Sequence, residues 1–310
     1  MRVVFLGSPP FATPILDRLV HRTPQHEVTG LVTPPDRPRG RGRAVVRSEL
    51  AAAADAAGIP VIQPASTRND AFLEGLRGLQ PDVLVVASYG EILRTPVLEL
   101  CRHGALNVHG SLLPRWRGAS PIQRAIRAGD AVTGVSIQRM VLALDAGDVI
   151  LSKETPIGPD DTAADLFDRL ADLGAEAIVE ALDQIEAGTA TYTPQDPDEV
   201  TLAPKLAKED GRIDFTEPAE AIARHVRAMT TWPGARCSIE VGDKVRDLVV
   251  LKASPRETSA PAPAAPGTRL ERDGALVLAA GEGTEIELVT VKPAGKGAME
   301  GAAFLRGLRL

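Results

Sequence analysis

Three residues in the sequence have side chains that can assist acyl transfer, and two of them have a spacing that favours a shared site. Asn107 and His109 close an apolar run, Ala105–His109, that is typical of a strand. Side chains two positions apart on a strand point to the same side, so we expect the amide and the imidazole to face one point in space. Asp145 lies in a loop that joins two further predicted strands. These three side chains form the candidate catalytic set.

Their chemistry suits the attack of an amine on an acyl carbon. Negative charge then grows on the acyl oxygen, where amide and imidazole N–H groups can stabilise it. A nearby carboxylate can accept the proton that the amine loses, and it can select the imidazole tautomer. A histidine at a strand end is also common as a structural residue, and an aspartate before Ala-Gly is common in turns. The spacing does not establish that Asp145 contacts His109.

The elements that would position these residues follow from the first part of the chain. Over residues 1–189, short β-branched runs alternate with longer amphipathic stretches, which predicts an α/β domain with a mostly parallel sheet. Ligands bind such a sheet beyond the carboxyl ends of its strands, where Asn107 and His109 would lie. The predicted strands are Val3–Leu6, Val28–Val32, Val83–Ala87, Ala105–His109, Val135–Met140 and Val149–Ser152. Helices are predicted over Thr13–His21, Ser48–Ala57 and Asn69–Leu76, and from Ser120 and Asp161.

The pattern changes after Gly188. Residues 190–207 carry prolines and charges without a sustained period, which predicts a linker. Residues 208–310 contain one predicted helix, Ala219–Met229, and then short strands between turns, which favours a smaller C-terminal β-barrel (OB-like) or a sandwich. Its predicted strands are Ala235–Val241, Leu248–Ala253, Thr268–Leu270, Ala275–Ala279, Glu285–Thr290 and Phe304–Leu308. The Pro- and Ala-rich stretch 254–268 is predicted to be an exposed loop.

An arginine-rich segment, PPDRPRGRGRAVVR, is the main basic feature of the sequence. Its glycines and prolines predict a mobile loop with little regular structure. Such a loop can order against RNA phosphates and base edges, although a solvated basic loop without a ligand is the alternative. Its arginines are Arg37, Arg39, Arg41, Arg43 and Arg47.

Composition limits the other possibilities. The formal net charge is -6 over 310 residues, so any nucleic-acid contact must come from a local concentration of positive charge. The sequence has no apolar run long enough for a membrane span. Cys101 and Cys237 lie far apart and show no metal-ligand spacing, so we expect two reduced thiols and no metal. We therefore expect a cytoplasmic protein with no membrane contact.

The motifs around the candidate set resemble those of the folate-dependent formyltransferases. The resemblance rests on Asn107-x-His109 followed by Ser111-Leu112-Leu113-Pro114 and Gly118, with Asp145-Ala146-Gly147-Asp148 further on. It implies a Rossmann-like catalytic domain with 10-formyltetrahydrofolate as the formyl donor. It also implies that Asn107 and His109 polarise the formyl group and that Asp145 completes the catalytic set. The residues implied to line the folate pocket are Ser111, Leu112, Leu113 and Pro114.

Within that family, the chain resembles the members that formylate the methionine carried by initiator tRNA for translation initiation. This resemblance runs nearly from end to end. Its further blocks are Phe5-x-Gly7-Ser8-Pro9, Pro35-Asp36-Arg37-Pro38, Lys205-Leu206-x-Lys208-Glu209-Asp210-Gly211 and Trp232-Pro233-Gly234-Ala235. It implies that the arginine-rich insertion grips initiator methionyl-tRNA through Arg37, Arg39, Arg41 and Arg43, and that the C-terminal barrel assists. The sequence departs from the family at residues 43–48 and at Thr230-Thr231, which affects the details of tRNA docking.

Other functions remain open on the sequence. A formyltransferase acting on a nucleotide-linked amino sugar would share the catalytic set and the folate pocket. A glycinamide-ribotide formyltransferase would not need the additional C-terminal domain, and a hydrolase could use water in place of the amine. A tRNA-binding protein without catalysis is a further alternative, which the intact set of Asn107, His109 and Asp145 argues against. We expect a monomeric formyltransferase.

Overall fold

The structure is a computed structural model that describes residues 1–39, 44–241, 244–257 and 264–308. Contacts divide the chain into two compact units. The first comprises Met1–Pro121, Val132–Pro156 and Phe167–Ala203. The second comprises Ile122–Ala131, Ile157–Leu166 and Pro204–Leu310.

The first unit is built on a seven-stranded sheet. Its elements, with the helices that extend into the second unit, are β1 Arg2–Gly7, α1 Ala12–His21, β2 Glu27–Val32, β3 Arg37–Arg39, β4 Ala44–Val46, α2 Glu49–Ala56, β5 Val61–Ile62, α3 Asp70–Gly78, β6 Val83–Ala87, α4 Thr95–Leu98, β7 Ala105–His109, β8 Arg117–Gly118, α5 Pro121–Ala128, β9 Val132–Arg139, β10 Val149–Pro156, α6 Ala163–Glu186 and β11 Leu202–Ala203. The strand order is β10-β9-β7-β6-β1-β2-β5. The five strands β7, β6, β1, β2 and β5 are parallel to one another. Strand β9 pairs antiparallel with β7, and β10 pairs antiparallel with β9 at the edge of the sheet. The predicted mostly parallel α/β sheet is confirmed.

The apolar runs that predicted the central strands lie inside the unit. All residues of β6 and all of β1 except Arg2 are buried, as expected for parallel strands that are covered on both faces. Two helices begin at side-chain caps: Ser48 accepts a hydrogen bond from the Ala51 N–H at 3.2 Å, and Asn69 accepts one from the Phe72 N–H at 2.9 Å. Such caps satisfy backbone donors that a helix leaves free at its first turn.

Strand β7 carries the candidate Asn-x-His pair. It pairs in parallel with β6 and antiparallel with β9, so it lies inside the sheet. The register sets Asn107 opposite Gln138 and His109 opposite Ser136. The loop 140–148 then joins β9 to β10. It is this loop that carries Asp145.

From Pro204 onward, the second unit contains an antiparallel half-barrel sheet and the helices α7 and α8. Its elements are α7 Ala219–Ala228, β12 Ala235–Val241, β13 Lys244–Arg256, β14 Arg269–Arg272, β15 Ala275–Ala279, β16 Glu285–Pro293, β17 Met299–Glu300 and α8 Gly301–Arg306. The order is β12-β13-β16-β15-β14, and β17 pairs with β16. Short 3-10 helices occur at Glu209–Gly211 and Gly281–Gly283 in this unit and at Pro197–Glu199 in the first. The prediction of a barrel-like C-terminal domain is confirmed.

Two sequence predictions in this unit were wrong. The predicted strand Phe304–Leu308 is instead covered by helix α8 through Arg306, because a short apolar run with Ala302 and Ala303 before it suits either structure. The predicted loop began at Ser254, whereas β13 continues to Arg256 by pairing with β16. Residues 258–263 of that stretch lie outside the described residues.

Both cysteines are free and buried. Burial raises the pKa of the Cys101 thiol and of the Cys237 thiol to about 12, so both stay protonated near neutral pH. Among the described residues, no three His, Cys, Asp or Glu side chains are grouped as a metal site requires. In the same part of the chain, no helix combines the length and apolar character needed to cross a bilayer.

Candidate active site

Asp145 is the centre of the site. Gln138 donates a hydrogen bond from Nε2 to its Oδ1 at 2.9 Å, and Asn107 donates from Nδ2 to the same oxygen at 3.4 Å. The Gly118 N–H donates to Oδ2 at 2.8 Å. These donors converge on a carboxylate whose side chain is only 14% exposed, which fixes its orientation.

His109 lies beside this carboxylate and is 95% buried, with a side-chain exposure of 5%. Its Nε2 donates to the Trp116 carbonyl at 2.7 Å, and because a carbonyl only accepts, Nε2 must carry a proton. Its Nδ1 faces Asp145 Oδ2 at 3.8 Å. The distance between Nδ1 and Oδ2 is longer than a direct hydrogen bond. A small polar group of a substrate, or a water, can therefore interact with both of these atoms. The convergence of Asn107, His109 and Asp145 that the sequence could not establish is therefore present.

The backbone of loop 140–148 places Asp145 there through an uncommon conformation. Asp145 has φ +47°, in the left-handed region that non-glycine residues rarely adopt. Two residues later, a Cβ on Gly147 would lie 1.6 Å from the Arg139 carbonyl oxygen, so only glycine fits this close approach. Such strained backbone persists when surrounding contacts hold it, and it is frequent at functional sites.

The loop after β7 is organised by two serines. The Ser111 hydroxyl accepts from the Trp116 N–H at 3.0 Å and donates to the Trp116 carbonyl at 3.2 Å. The Ser136 hydroxyl donates to the Ser111 carbonyl at 2.8 Å and accepts from the Leu113 N–H at 3.0 Å. Ser111 is buried, whereas Leu112, Leu113 and Pro114 are half-buried. The contacts of Ser111 thus hold the loop in which Leu112, Leu113 and Pro114 lie.

Sequence reasoning missed three contributors to this site. Gln138 is a buried polar residue within strand β9, next to the apolar Ile137, which was a usable signal. The Gly118 N–H could not be found from side-chain types, because the donor is backbone. Gln195 lies in the segment predicted as a linker, and its amide reaches the backbone of Asp145.

The arginine-rich segment has more structure than predicted. Its arms, Arg37–Arg39 and Ala44–Val46, pair as an antiparallel two-stranded ribbon, which corrects the prediction of a loop with little regular structure. The arms pair through their backbones even though Pro38 lies in one of them, and a prediction from composition takes no account of such pairing. Arg37 is exposed, whereas Arg41 and Arg43 lie outside the described residues.

Arg47 anchors the base of this ribbon. It makes a two-pronged contact with Asp55, with both N–O distances at 2.8 Å, and it also donates to Gln63 at 2.7 Å. The hydrogen bond from Arg47 lowers the pKa of Asp55 below its usual value. Hydrogen bonds from Gln63 and from the Ser48 backbone likewise lower the pKa of Asp36. The guanidinium of Arg47 is therefore engaged by Asp55 and Gln63, and these contacts hold the base of the ribbon in place.

Fold and site together define a formyltransferase. The formyl transferase family model matches residues 1–182, and the model of the formyl transferase C-terminal domain matches residues 205–309. The chain belongs to the formyl transferase family.

Curated relatives are more specific. The methionyl-tRNA formyltransferase of Anaeromyxobacter dehalogenans is 46% identical over 310 residues, covering 100% of this chain and 97% of that protein. The methionyl-tRNA formyltransferase of Methylobacterium nodulans is 43% identical with the same coverage.

A solved structure shares the fold at lower identity. HypX from Aquifex aeolicus in complex with tetrahydrofolic acid superposes with a TM-score of 0.63 at 21% identity, covering 98% of this chain and 47% of that one. At this identity the likeness concerns the fold alone.

Proposed function

We propose that this chain transfers the formyl group of 10-formyltetrahydrofolate to the amino group of methionyl initiator tRNA. The observation that carries the proposal is the convergence of Asn107 and His109 on Asp145 at the carboxyl end of β7. The full-length identity of 43% to 46% with methionyl-tRNA formyltransferases supports tRNA as the acceptor. No metal is needed for this chemistry.

Asn107 serves as the donor to the formyl oxygen. Its Nδ2 carries two protons, and the contact to Asp145 at 3.4 Å uses at most one of them. The second can stabilise the negative charge that develops when the amine attacks the formyl carbon. The carboxylate orients the amide for this task, so Asn107 is held ready before the substrates bind.

His109 and Asp145 handle the proton. The amine forms a C–N bond to the formyl carbon and loses one proton, while the bond from that carbon to folate N10 breaks and N10 gains one. With Nε2–H on the Trp116 carbonyl, only Nδ1 of His109 is left to face the reacting groups. The 3.8 Å between Nδ1 and Asp145 Oδ2 lets the two residues receive the proton from one side and return it to N10.

The folate pocket is assigned to the loop that follows β7. We expect Leu112, Leu113 and Pro114 to contact the pteridine-bearing donor through their half-buried side chains, and Ser111 to hold the loop in shape. The hydrogen bonds of Ser111 and Ser136 hold this loop in place. The apolar side of the pocket is therefore formed before the donor binds.

Residues 1–189 are assigned to catalysis and residues 208–310 to tRNA binding, with 190–207 between them. The second unit has an open cleft of about 760 Å³ that Arg212, Arg236 and Lys292 line together with Asp247. Cations in a cleft suit RNA phosphates even when a domain is close to neutral. We expect the enzyme to act as a monomer in the cytoplasm, where initiator tRNA is charged.

The assignment is tested by the transfer of labelled formyl from 10-formyltetrahydrofolate. We expect label on methionyl initiator tRNA and none on a nucleotide-linked amino sugar supplied at equal concentration. Label on the sugar alone would replace the proposed acceptor. Release of free formate without transfer would identify a hydrolase, and no reaction with either acceptor would leave a tRNA-binding protein.

Arg41 is predicted to grip the tRNA, since glycines on both sides let its backbone approach closely. Arg41→Ala should lower kcat/KM for methionyl-tRNA about 10-fold or more, and it should reduce the slope of log(kcat/KM) against log[salt] by about 1. In the sequence, Arg41 lies between the two paired strands Arg37–Arg39 and Ala44–Val46. Steady-state assays at several salt concentrations measure both effects.

Arg77→Ala is the control, because Arg77 is an exposed arginine on α3 that pairs with Glu74. It removes the same charge and should leave both quantities unchanged. If Arg41→Ala behaves like this control, the arginine-rich ribbon takes no part in tRNA binding.

A further inference from the structure

The segment predicted as an interdomain linker is bound to both loops of the active site. At its start, Thr193 and Val149 exchange two backbone hydrogen bonds of 2.9 Å, directly after the loop that carries Asp145. At its end, the Arg117 N–H donates to the Thr201 carbonyl at 2.9 Å, and β11 pairs in parallel with β8. The segment 193–203 therefore joins the loop after β9 to the loop after β7.

Gln195 lies in the middle of this segment and contacts both loops through its side chain. Its Nε2 donates to the Asp145 carbonyl at 2.8 Å and to the Gly147 carbonyl at 2.7 Å. Its Oε1 accepts from Nε and Nη2 of Arg117 at 3.0 and 2.9 Å. All four hydrogen-bonding positions that this amide uses are directed at the two catalytic loops.

Arg117 determines the orientation of the amide. A guanidinium only donates, so it must face Oε1, and this leaves Nε2 with its two protons facing the two carbonyls. Both carbonyls flank Ala146, on either side of the turn in which Asp145 adopts φ +47°. The amide thus bridges a turn whose conformation costs free energy, and it stabilises the arrangement in which the carboxylate lies beside His109.

The close approach of this segment to the loop after β7 depends on a glycine of that loop. A Cβ on Gly118 would lie 2.5 Å from the Ala203 carbonyl oxygen, and Gly118 has φ +120°. Its N–H is the donor to Asp145 Oδ2. The segment therefore supports Asp145 in two ways. Gln195 holds the backbone of Asp145, and Ala203 packs against Gly118, which donates to the Asp145 carboxylate.

We propose that Gln195 is a positioning residue for formyl transfer, which acts by holding the backbone of Asp145. This inference rests on the proposed function, because Asp145 is taken to accept the proton of the amine. Gln195 itself does not contact the reacting atoms. A displacement of a catalytic group by about 1 Å can lower a rate about 100-fold, so loss of this brace should act mainly on kcat.

Two substitutions separate positioning from simple space filling. Gln195→Glu keeps the size of the side chain and the contact with Arg117, but it turns an oxygen toward the Asp145 and Gly147 carbonyls. Gln195→Met keeps approximate volume and removes every hydrogen bond. We expect both variants to lower kcat about 10- to 100-fold, with KM for folate and for tRNA changed less than about 3-fold.

Gln184→Met, the same change on α6 of the first unit, is the matched control and should retain wild-type kcat. Thermal denaturation of each variant checks that the assay is made on folded protein. If Gln195→Glu melts below the assay temperature, Gln195→Met carries the comparison. Wild-type kcat in either folded variant would overturn the proposal.

A double-mutant cycle with Asp145→Asn shows whether Gln195 acts through Asp145. If it does, Gln195→Met should lower the residual single-turnover rate of Asp145→Asn less than about 2-fold, because the carboxylate to be positioned is already gone. Additive losses would overturn the proposal by showing that Gln195 acts elsewhere. Failure of the proposed function is distinguishable, since the wild-type protein itself would then transfer no formyl group to methionyl-tRNA.

Discussion

Asp145→Asn should lower kcat for formyl transfer by about 100- to 10,000-fold, the range typical of a lost general base. The substitution keeps the volume of the side chain and an oxygen that can accept from Gln138. It removes the negative charge beside His109 Nδ1 and replaces one acceptor of the Gly118 N–H or of Gln138 by a donor. Single-turnover transfer of labelled formyl to methionyl-tRNA measures the loss.

The control for this experiment is Asp172→Asn, which removes a carboxylate from the exposed surface of α6. It should leave the rate unchanged. KM for tRNA should also remain near the wild-type value in Asp145→Asn, because the carboxylate is assigned to the proton and not to binding. A rate within about 3-fold of wild type would remove Asp145 from the mechanism.

His109→Ala should abolish transfer almost completely, with a loss of about 1,000-fold or more in kcat. The substitution removes Nδ1, which faces the reacting groups, and it also removes the hydrogen bond to the Trp116 carbonyl. The second effect could loosen the loop that follows β7. The same single-turnover assay measures the rate, and binding of 10-formyltetrahydrofolate by fluorescence reports on the loop.

His109→Gln separates these two contributions. A glutamine amide can donate to the Trp116 carbonyl, but it offers no nitrogen that exchanges a proton near neutral pH. We expect His109→Gln to bind the folate donor like the wild-type protein and to be nearly as slow as His109→Ala. Recovery of most of the activity in His109→Gln would mean that His109 is needed only for the shape of the loop.

Parts of the site could be predicted because they depend on neighbours along the chain. The spacing of Asn107 and His109 places them on the same side of one strand, since the period of a strand is two residues. The all-apolar runs that became β1 and β6 were recognisable as buried parallel strands for a similar local reason. Local periodicity failed at Phe304, where a short apolar run belongs to helix α8.

The approach of Asp145 to His109 could not be derived from spacing. It depends on the pairing of β7 with β9, on the return of loop 140–148 and on the φ of +47° at Asp145 itself. In the sequence, only the residue type of Asp145 and the motif around it identified this residue as a candidate. The distance of 3.8 Å to His109 belongs to the tertiary structure.

By itself, then, the sequence determined which side chains could do the chemistry, which strands carry two of them and which family they belong to. The tertiary structure decided which partners hold them, and Gln195 is the clearest case. A polar residue in a segment without periodicity shows no preference for any partner until the fold brings backbone carbonyls within its reach. The physical reason is that a strand is specified by residues close in sequence, whereas the satisfaction of buried polar groups depends on atoms that only folding brings together.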